Sequence, residues 1–299
     1  RYRITLTNGE VFTTPFYSFN YVDNRFAWQT LEEQPFSVHW YEGDIAFGQN
    51  ILDVAQAGLD KGISLLPGGT LEQGLDIYVY RNAQDMQAAL VSPTESWIAG
   101  HADPDLDVVL VAISAGPDQN LVIEQRVPHE LMHVMLYHRA RPGYGNLPAW
   151  LTEGLASTTE LYPNPDYQVL ISNAYDQNRL LPIGSLCQTF PRDASGTLLA
   201  YAEAVSFTRY LFRTYGASGI EKLVQNYADG LSCERGFEAS FGRPLIQAER
   251  QWRQDTFGEN AGMAAFTNFL PWLALLVAAL FIPLLAGLLQ LRHARRGAV

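Results

Sequence analysis

The chain has 299 residues, of which 47% are hydrophobic, so it can bury a sizeable core in one large domain or two smaller ones. Its formal net charge of −11 argues against nucleic acid as a partner, because an acidic surface repels phosphate backbones. It contains no Gly-rich phosphate loop and no Gly-x-Ser-x-Gly motif, which argues against nucleotide binding and serine-hydrolase chemistry.

The first 34 residues are predicted to form strands that end an N-terminal β-domain or a flap on the main body. Residues 2–7 and 10–13 flank Asn8-Gly9, a strong hairpin pattern. The aromatic stretch at 16–28 is expected to continue in strands. Because two or three strands alone are marginally stable, we expect residues 32–35 to be a linker to the next domain.

Residues 35–258 are predicted to form the main domain. Apolar alternation predicts strands at 36–41 and 75–80, a helical period predicts a helix at 48–63, and Asn82 is a plausible N-cap for a short helix to residue 90. Residues 97–100 and 108–113 are predicted to form a hairpin. His39 is expected to be an ordinary half-buried strand residue, and His101 a surface residue in the hairpin turn.

A metal-binding pattern follows in a helix predicted from about residue 121. His129 and His133 lie four residues apart, so they share one helix face at about 5–6 Å between Cβ atoms and can reach one Zn²⁺ ion. Glu130 lies beside that ion, where a carboxylate can take a proton from water. Glu153, in the next predicted helix, would be the third ligand and leaves a fourth position open. We predict one catalytic zinc ion.

Pro128 and His138 lie close to this pattern, and an alternative to a metal site also exists. Pro128 removes a backbone hydrogen bond, so the helix is expected to begin or to kink there. His138 lies five residues past His133, off the metal-facing side, and is a poor ligand candidate. The alternative to a metal site is a helix that carries His and Glu by chance; Glu153 in a second helical segment makes that coincidence less frequent.

The remainder of the main domain is predicted to be helical and contains both cysteines. Cys187 and Cys233 are predicted to form a disulfide in an oxidising compartment, the alternative being two unpaired buried thiols. Pro148 suits the first turn of the helix with Glu153. Further helices are predicted at 166–180, 199–215 with Gly216 as C-cap, 219–227, 233–241 and 245–257.

The C-terminal segment is predicted to anchor the chain in a membrane. Residues 269–289 carry no charge and have about the length that spans a bilayer core. The basic residues that follow favour the cytoplasmic side. We expect a stalk at 259–268, a transmembrane helix at 269–291 and a cytoplasmic tail at 292–299, with residues 1–268 outside the cytoplasm. The alternative is a buried C-terminal helix. Because export requires a signal, the present start is expected to be a trimmed or mature boundary.

The predicted metal site resembles that of the gluzincin metallopeptidases, the thermolysin-like class. Residues 150–156, Trp-Leu-Thr-Glu-Gly-Leu-Ala, are similar to the Trp-x-x-Glu-Gly-x-Ala signature of the gluzincin aminopeptidases and of the bacterial peptidase-MA-like family, the nearest of these. The resemblance covers about residues 36–257. It implies an α+β zincin-like fold: a mixed sheet with an edge strand that can pair with an extended peptide, an active-site helix and then a helical subdomain.

The resemblance also implies roles for five residues. His129, His133 and Glu153 would be the zinc ligands, and Glu130 the general base. Tyr201 lies at the start of a helix similar to one in the aminopeptidases, where a tyrosine stabilises the oxyanion; for Tyr201 the alternative is a packing role.

Two departures from the family pattern matter. The sequence has no Gly-x-Met-Glu-Asn motif, with which the aminopeptidases bind the substrate amine, so an endopeptidase is expected. Ser157 stands where some gluzincins have an aspartate that orients a histidine, which leaves the orienting partner unidentified.

The expected function is a membrane-anchored zinc metallopeptidase that hydrolyses peptide bonds of a peptide or protein substrate outside the cytoplasm. One alternative is a membrane-tethered, zinc-containing binding or assembly protein without turnover, although a structural zinc usually has four protein ligands and three lie in sequence range. A weaker alternative is a zinc hydrolase of a non-peptide amide or ester. The oligomeric state is not predicted.

Overall fold

The fold is described by a computed structural model for residues 3–15, 23–71, 74–90, 99–258, 269–279 and 281. It is an α+β fold, with a mixed sheet in the N-terminal part and a helical region after it, as predicted. The strands are β1 (Arg3–Thr5), β2 (Val11–Thr13), β3 (Gln29–Glu33), β4 (Phe36–Trp40), β5 (Leu75–Tyr80), β6 (Gly100–Asp103) and β7 (Val108–Ala112). The helices are α1 (Ile45–Leu65), α2 (Ala83–Gln87), α3 (Gln119–Ala140), α4 (Ala149–Thr159), α5 (Asp166–Asp176), α6 (Ala194–Ala228), α7 (Cys233–Phe241) and α8 (Leu245–Phe257).

The main sheet has the strand order β3-β4-β5-β7-β6. Its three inner strands are parallel, and each outer strand is antiparallel to its neighbour. Alternate residues of β4, namely Phe36, Val38 and Trp40, are buried against α1, and α3 packs beside α1 on the same face against β7 and β6. This face forms the core, and β6 is left at the edge nearest to α3.

The N-terminal segment agrees with the prediction only in part. β1 and β2 form the predicted hairpin, in which Gly9 adopts the positive φ of 86° that its turn requires. The predicted strand region at 16–28 falls partly outside the described residues, and the described part of it is not a strand. There Phe26 and Trp28 pack with Tyr41 against the second face of the sheet.

The prediction of a linker at residues 32–35 is wrong. β3 pairs with β4 in a tight hairpin, with Glu33 opposite Phe36, so this segment is the end of a strand and its turn inside the main sheet. The charged, proline-containing stretch has the composition of a linker, but it satisfies a hairpin turn equally well.

Helix α3 continues through Pro128, so it does not begin at this residue. Proline cannot donate to the carbonyl of Glu124, four residues earlier. The backbone N–H of Leu161 donates to that carbonyl instead, at 2.9 Å. The proline ring packs against Gly58 of α1, where an added Cβ would lie 3.0 Å from the Cβ of Pro128. Tertiary contacts therefore compensate for the missing helical hydrogen bond.

The helical region follows the prediction closely. Helices α7 and α8 have the predicted bounds, and Gly216 with φ 68° separates α6 into the two predicted helical stretches. The disulfide between Cys187 and Cys233 is present and joins the loop before α6 to the start of α7. Trp252 of α8 is fully buried against Phe207 of α6.

The predicted membrane segment lies largely outside the described residues. Residues 269–279 are helical, whereas residues 280 and 282–291 are not described, nor are the predicted stalk and tail. In the part of the chain that the structure describes, no helix has both the length and the apolarity needed to cross a bilayer.

A buried carboxyl group in α6 predicts how stability depends on pH. Glu203 is fully buried; its Oε1 accepts a hydrogen bond from Leu181 N at 2.9 Å, and its Oε2 has no hydrogen-bond partner among the described residues. Burial raises the pKa of Glu203 from 4.5 to about 8. The folded protein therefore keeps this proton at pH 7, whereas the unfolded chain loses it.

We expect this group to lower the free energy of unfolding as pH rises from 4.5 to about 8, by about 1.4 kcal/mol per pH unit. Glu203→Gln keeps the acceptor for Leu181 and removes the titrating proton, so urea unfolding of this variant should lose that pH dependence. The exposed Glu238→Gln should retain it. A wild-type slope that persists in Glu203→Gln would contradict the assignment.

Candidate metal centre

Helices α3 and α4 bring His129, His133 and Glu153 together. Glu153 Oε2 lies 3.5 Å from His129 Nε2 and 3.8 Å from His133 Nε2. One ligand atom from each of the three residues lies within 4.8 Å of the other two. Ligands of a tetrahedral zinc ion with bonds near 2.1 Å are separated by roughly 3.4 Å, so the spacing suits a single ion.

Close packing of α4 on α6 sets the position of Glu153. A Cβ at Gly154 would overlap the Thr208 hydroxyl and the backbone of Ala204 on α6, so only glycine permits this approach. Trp150, one turn earlier, is fully buried and makes an edge contact with Phe207, with 5.2 Å between ring centroids. The Trp and Gly of the Trp-Leu-Thr-Glu-Gly stretch thus hold the carboxylate against the histidines.

The chemistry of these three residues fits a divalent metal ion. Glu153 Oε2 is buried and has no hydrogen-bond partner in the described part of the chain, an unfavourable arrangement that a cation would satisfy. Burial raises the pKa of Glu153, but the two histidines outweigh burial and hold it at about 2, so the group is a carboxylate. Burial lowers the pKa of His133 to about 4, so its imidazole is neutral, as metal binding requires. Burial also lowers the pKa of His129, but its hydrogen bonds to Glu153 and Glu160 outweigh burial and raise it to about 10, so a bound metal ion would displace that proton.

The partner that orients His129 is Glu160, which the sequence did not identify. Glu160 Oε1 lies 3.1 Å from His129 Nδ1, and Ser157 Oγ lies 3.3 Å from the same nitrogen. Glu160 comes seven residues after Glu153, two helical turns along the same face. That spacing is the pattern that could have revealed it. For His133, Tyr144 Oη lies 3.4 Å from Nδ1.

Glu130 lies in the same cavity, beside the edge strand β6. The cavity has a volume of about 690 Å³. Gly100 of β6 contacts the Glu130 carboxylate so closely that a Cβ there would overlap it. Burial raises the pKa of Glu130 to about 7; the His129 charge opposes this effect and Glu153 adds to it. A carboxylate with this pKa can both accept and return a proton near neutral pH.

Tyr201 of α6 also lines the cavity. Its ring centroid lies 6.3 Å from that of His129, and Phe190 packs edge-on against it at 5.1 Å. Burial raises the pKa of Tyr201, and the nearby Glu153 carboxylate raises it further, so the hydroxyl remains a hydrogen-bond donor. All five predicted site residues therefore line one cavity.

The other histidines are placed differently. His101 lies in β6, paired with Leu110, and lines the cavity; the prediction of a surface residue in a turn is wrong, because the strand begins three residues later than expected. His138 contacts Asp107 at 2.5 Å, and His39 lies on the sheet between Thr30 and Asp76. Neither is among the described residues that line the cavity.

A protein-family model described as the Peptidase MA superfamily matches residues 54–258, more than half of the chain. The chain belongs to the Peptidase MA superfamily. This family consists of zinc metallopeptidases, and the cluster of His129, His133 and Glu153 identifies the chain as an enzyme of that kind. A comparison of this Peptidase MA protein with the curated proteins found no significant match.

The contact between Glu160 and His129 predicts an effect on zinc affinity. In Glu160→Gln the imidazole loses a carboxylate partner, and we expect zinc to bind about 10- to 100-fold more weakly. Competition with a chromophoric chelator measures this change. Ser157→Ala, which removes the longer contact, should have a smaller effect, and the exposed Glu238→Gln none. An unchanged zinc affinity in Glu160→Gln would show that Glu160 does not support the site.

Proposed function

We propose that this Peptidase MA protein is a zinc endopeptidase that cleaves peptides bound along β6, with His129, His133 and Glu153 as ligands of one Zn²⁺ ion. The observation that carries the proposal is the placement of Glu130 between that cluster and the sheet edge, in one cavity. A structural zinc site has no use for a half-buried carboxylate held beside the ligands, whereas hydrolysis requires a base there.

The protein's own residues supply the proton transfers. A bound zinc ion contributes Lewis acidity toward a peptide carbonyl and toward water. Glu130 takes the proton from the attacking water and returns it to the leaving amine. Tyr201 donates a hydrogen bond to the carbonyl oxygen as that oxygen becomes negatively charged. Its hydroxyl is suited to this role because it remains protonated.

Cleavage within a chain, rather than at an end, is supported by the sheet edge. β6 is the last strand of the sheet in the described part of the chain, so its outer backbone groups can pair with an extended peptide. Gly100 brings this strand against Glu130, which places a paired peptide beside the base. The sequence also lacks the Gly-x-Met-Glu-Asn motif for binding a substrate amine.

Glu130→Gln is expected to lower kcat by about a hundredfold to ten-thousandfold while the zinc content stays at one equivalent, because Glu130 is a base and not a ligand. Cleavage of a quenched-fluorescent peptide library, together with metal analysis, measures both quantities. The exposed Glu238→Gln is the matched control and should retain activity. Full turnover by Glu130→Gln would refute the mechanism. One equivalent of zinc without cleavage by the wild type would favour the alternative of a binding or assembly protein.

We further propose that the enzyme is anchored in a membrane by residues 269–291, with its catalytic domain outside the cytoplasm and its C-terminus inside. Support comes from the uncharged stretch 269–289 and from the basic residues that follow it. The disulfide between Cys187 and Cys233 suits an oxidising compartment.

The anchor predicts that the full chain stays in the membrane pellet after an alkaline wash. Leu276→Arg combined with Ala279→Arg should release it to the supernatant, because each arginine costs about 2.5–3.5 kcal/mol near the centre of a membrane helix. Leu106→Arg with Ala239→Arg, at exposed sites in the catalytic region, is the matched control and should stay in the pellet. Release of the wild-type chain by the wash would rule out the anchor.

A further inference from the structure

Arg126 lies in the active-site cavity, one helical turn before the metal-site residues. It precedes His129 by three residues and Glu130 by four, so the three side chains share one face of α3. Among the described residues that line the cavity, it is the one lysine or arginine. A single fixed positive charge is therefore built into the cavity close to the proposed base.

Among the described residues, the guanidinium of Arg126 has a single hydrogen-bond partner. Its Nη1 donates a hydrogen bond to the carbonyl of Ala112, and within the described residues it makes no ion pair. A guanidinium has five N–H donors in a planar fork. Burial lowers the pKa of Arg126, yet an arginine remains charged at any physiological pH. A partly buried cation without a carboxylate partner is costly, and a ligand anion would offset that cost.

None of the three glutamates that line the described part of the cavity binds the Arg126 guanidinium in place of such a ligand. Glu153 faces both histidines, and Glu160 faces His129. Glu130 lies against Gly100; its charge and that of Arg126 attract each other through space, but within the described part of the chain the two side chains make no hydrogen bond or close ion pair. The donors of Arg126 are thus available for a group that enters with the substrate.

A second cavity adjoins the first one at Arg126. It has a volume of about 550 Å³ and shares Arg126 and Ala99 with the first one, so the guanidinium lies where the two cavities meet. A side chain or chain end next to the bond at Glu130 can therefore extend to Arg126 without leaving the cleft. One helical turn corresponds to about 5.4 Å, which is less than the roughly 6.8 Å spanned by two residues of an extended peptide, so Arg126 is within reach of a residue next to the cleaved bond.

We propose that Arg126 selects substrates that carry a carboxylate adjacent to the cleaved bond, an inference that rests on the proposed peptidase function. The carboxylate belongs to an Asp or Glu side chain, which fits the proposed cleavage within a chain, or to the free C-terminus of the peptide, in which case the enzyme removes C-terminal residues and the endopeptidase assignment is replaced. Both sources present two oxygens in the planar geometry that an arginine binds with two parallel hydrogen bonds.

Pairs of peptides test this proposal and separate the two sources. In the first pair, blocked at both ends, Glu is exchanged for Gln on either side of the cleaved bond. In the second pair, the same peptide ends in a free carboxylate or in an amide. We expect the wild-type enzyme to favour the carboxylate member of one pair by about tenfold or more in kcat/KM.

In Arg126→Gln this preference should fall to a ratio near one, and Arg126→Lys should retain part of it, because lysine keeps the charge but not the fork. The ratio is measured within one variant, so a lower amount of active enzyme does not change it. Arg250→Gln, which removes an exposed arginine on α8, should keep the wild-type ratio.

The failures of the two proposals are distinguishable. A wild-type enzyme that cleaves no peptide overturns the peptidase function and this inference with it. A wild-type enzyme that cleaves both members of each pair equally, or a preference that survives in Arg126→Gln, overturns the role of Arg126 alone. If Arg126→Gln does not fold, the ratio in Arg126→Lys decides, since a wild-type ratio there would show that the guanidinium is not the binding group.

Discussion

The structure depends on one buried carboxylate held between two imidazoles. Removing an ionised group from water costs several kcal/mol, which the protein recovers only with cationic or hydrogen-bonding partners. For Glu153 the cationic partner is His129, whose carboxylate neighbours keep it protonated, and Oε2 lies between His129 and the neutral His133, where a metal ion would replace that proton. The tight packing at Gly154 keeps the carboxylate there even though solvation opposes it. In a zinc metallopeptidase, the ion that the chemistry requires would thus also offset the electrostatic cost of burying this carboxylate.

Two glutamates in one cavity have opposite protonation behaviour because their surroundings differ. Glu153 faces the histidines, which hold its pKa at about 2. Glu130 lies against the backbone of Gly100, and burial raises its pKa to about 7. When two carboxyl groups in one site have well-separated pKa values, one can transfer protons while the other stays ionised and stabilises positive charge. In the proposed mechanism this difference would separate a metal ligand, Glu153, from a proton carrier, Glu130, on adjacent helices.

The position of α3 connects this site to the rest of the fold. The helix crosses from the core under the sheet to the edge strand β6, and it carries the two histidines and Glu130 on one side. Pro128 sits one residue before His129, where it packs on α1, and Leu161, just after α4, donates to the carbonyl that the proline leaves free. The same segment holds Glu160, the partner of His129. The loop after α4 therefore stabilises the helix and orients its first histidine.

What the sequence alone determined is the chemistry of the centre and the identity of most elements. Helical periodicity is a local property, so the spacing of His129 and His133 already implied a shared face, and the bounds of α7 and α8 were predicted as the structure has them. Local patterns could not show that residues 32–35 turn back into the sheet, that His101 faces the cavity, or that Glu160 and Arg126 flank the metal site. Those placements depend on how strands pair and how helices pack, which bring together residues far apart in the chain. Only the tertiary structure decided them, because the free energy of such contacts is shared between segments and is not encoded in either one by itself.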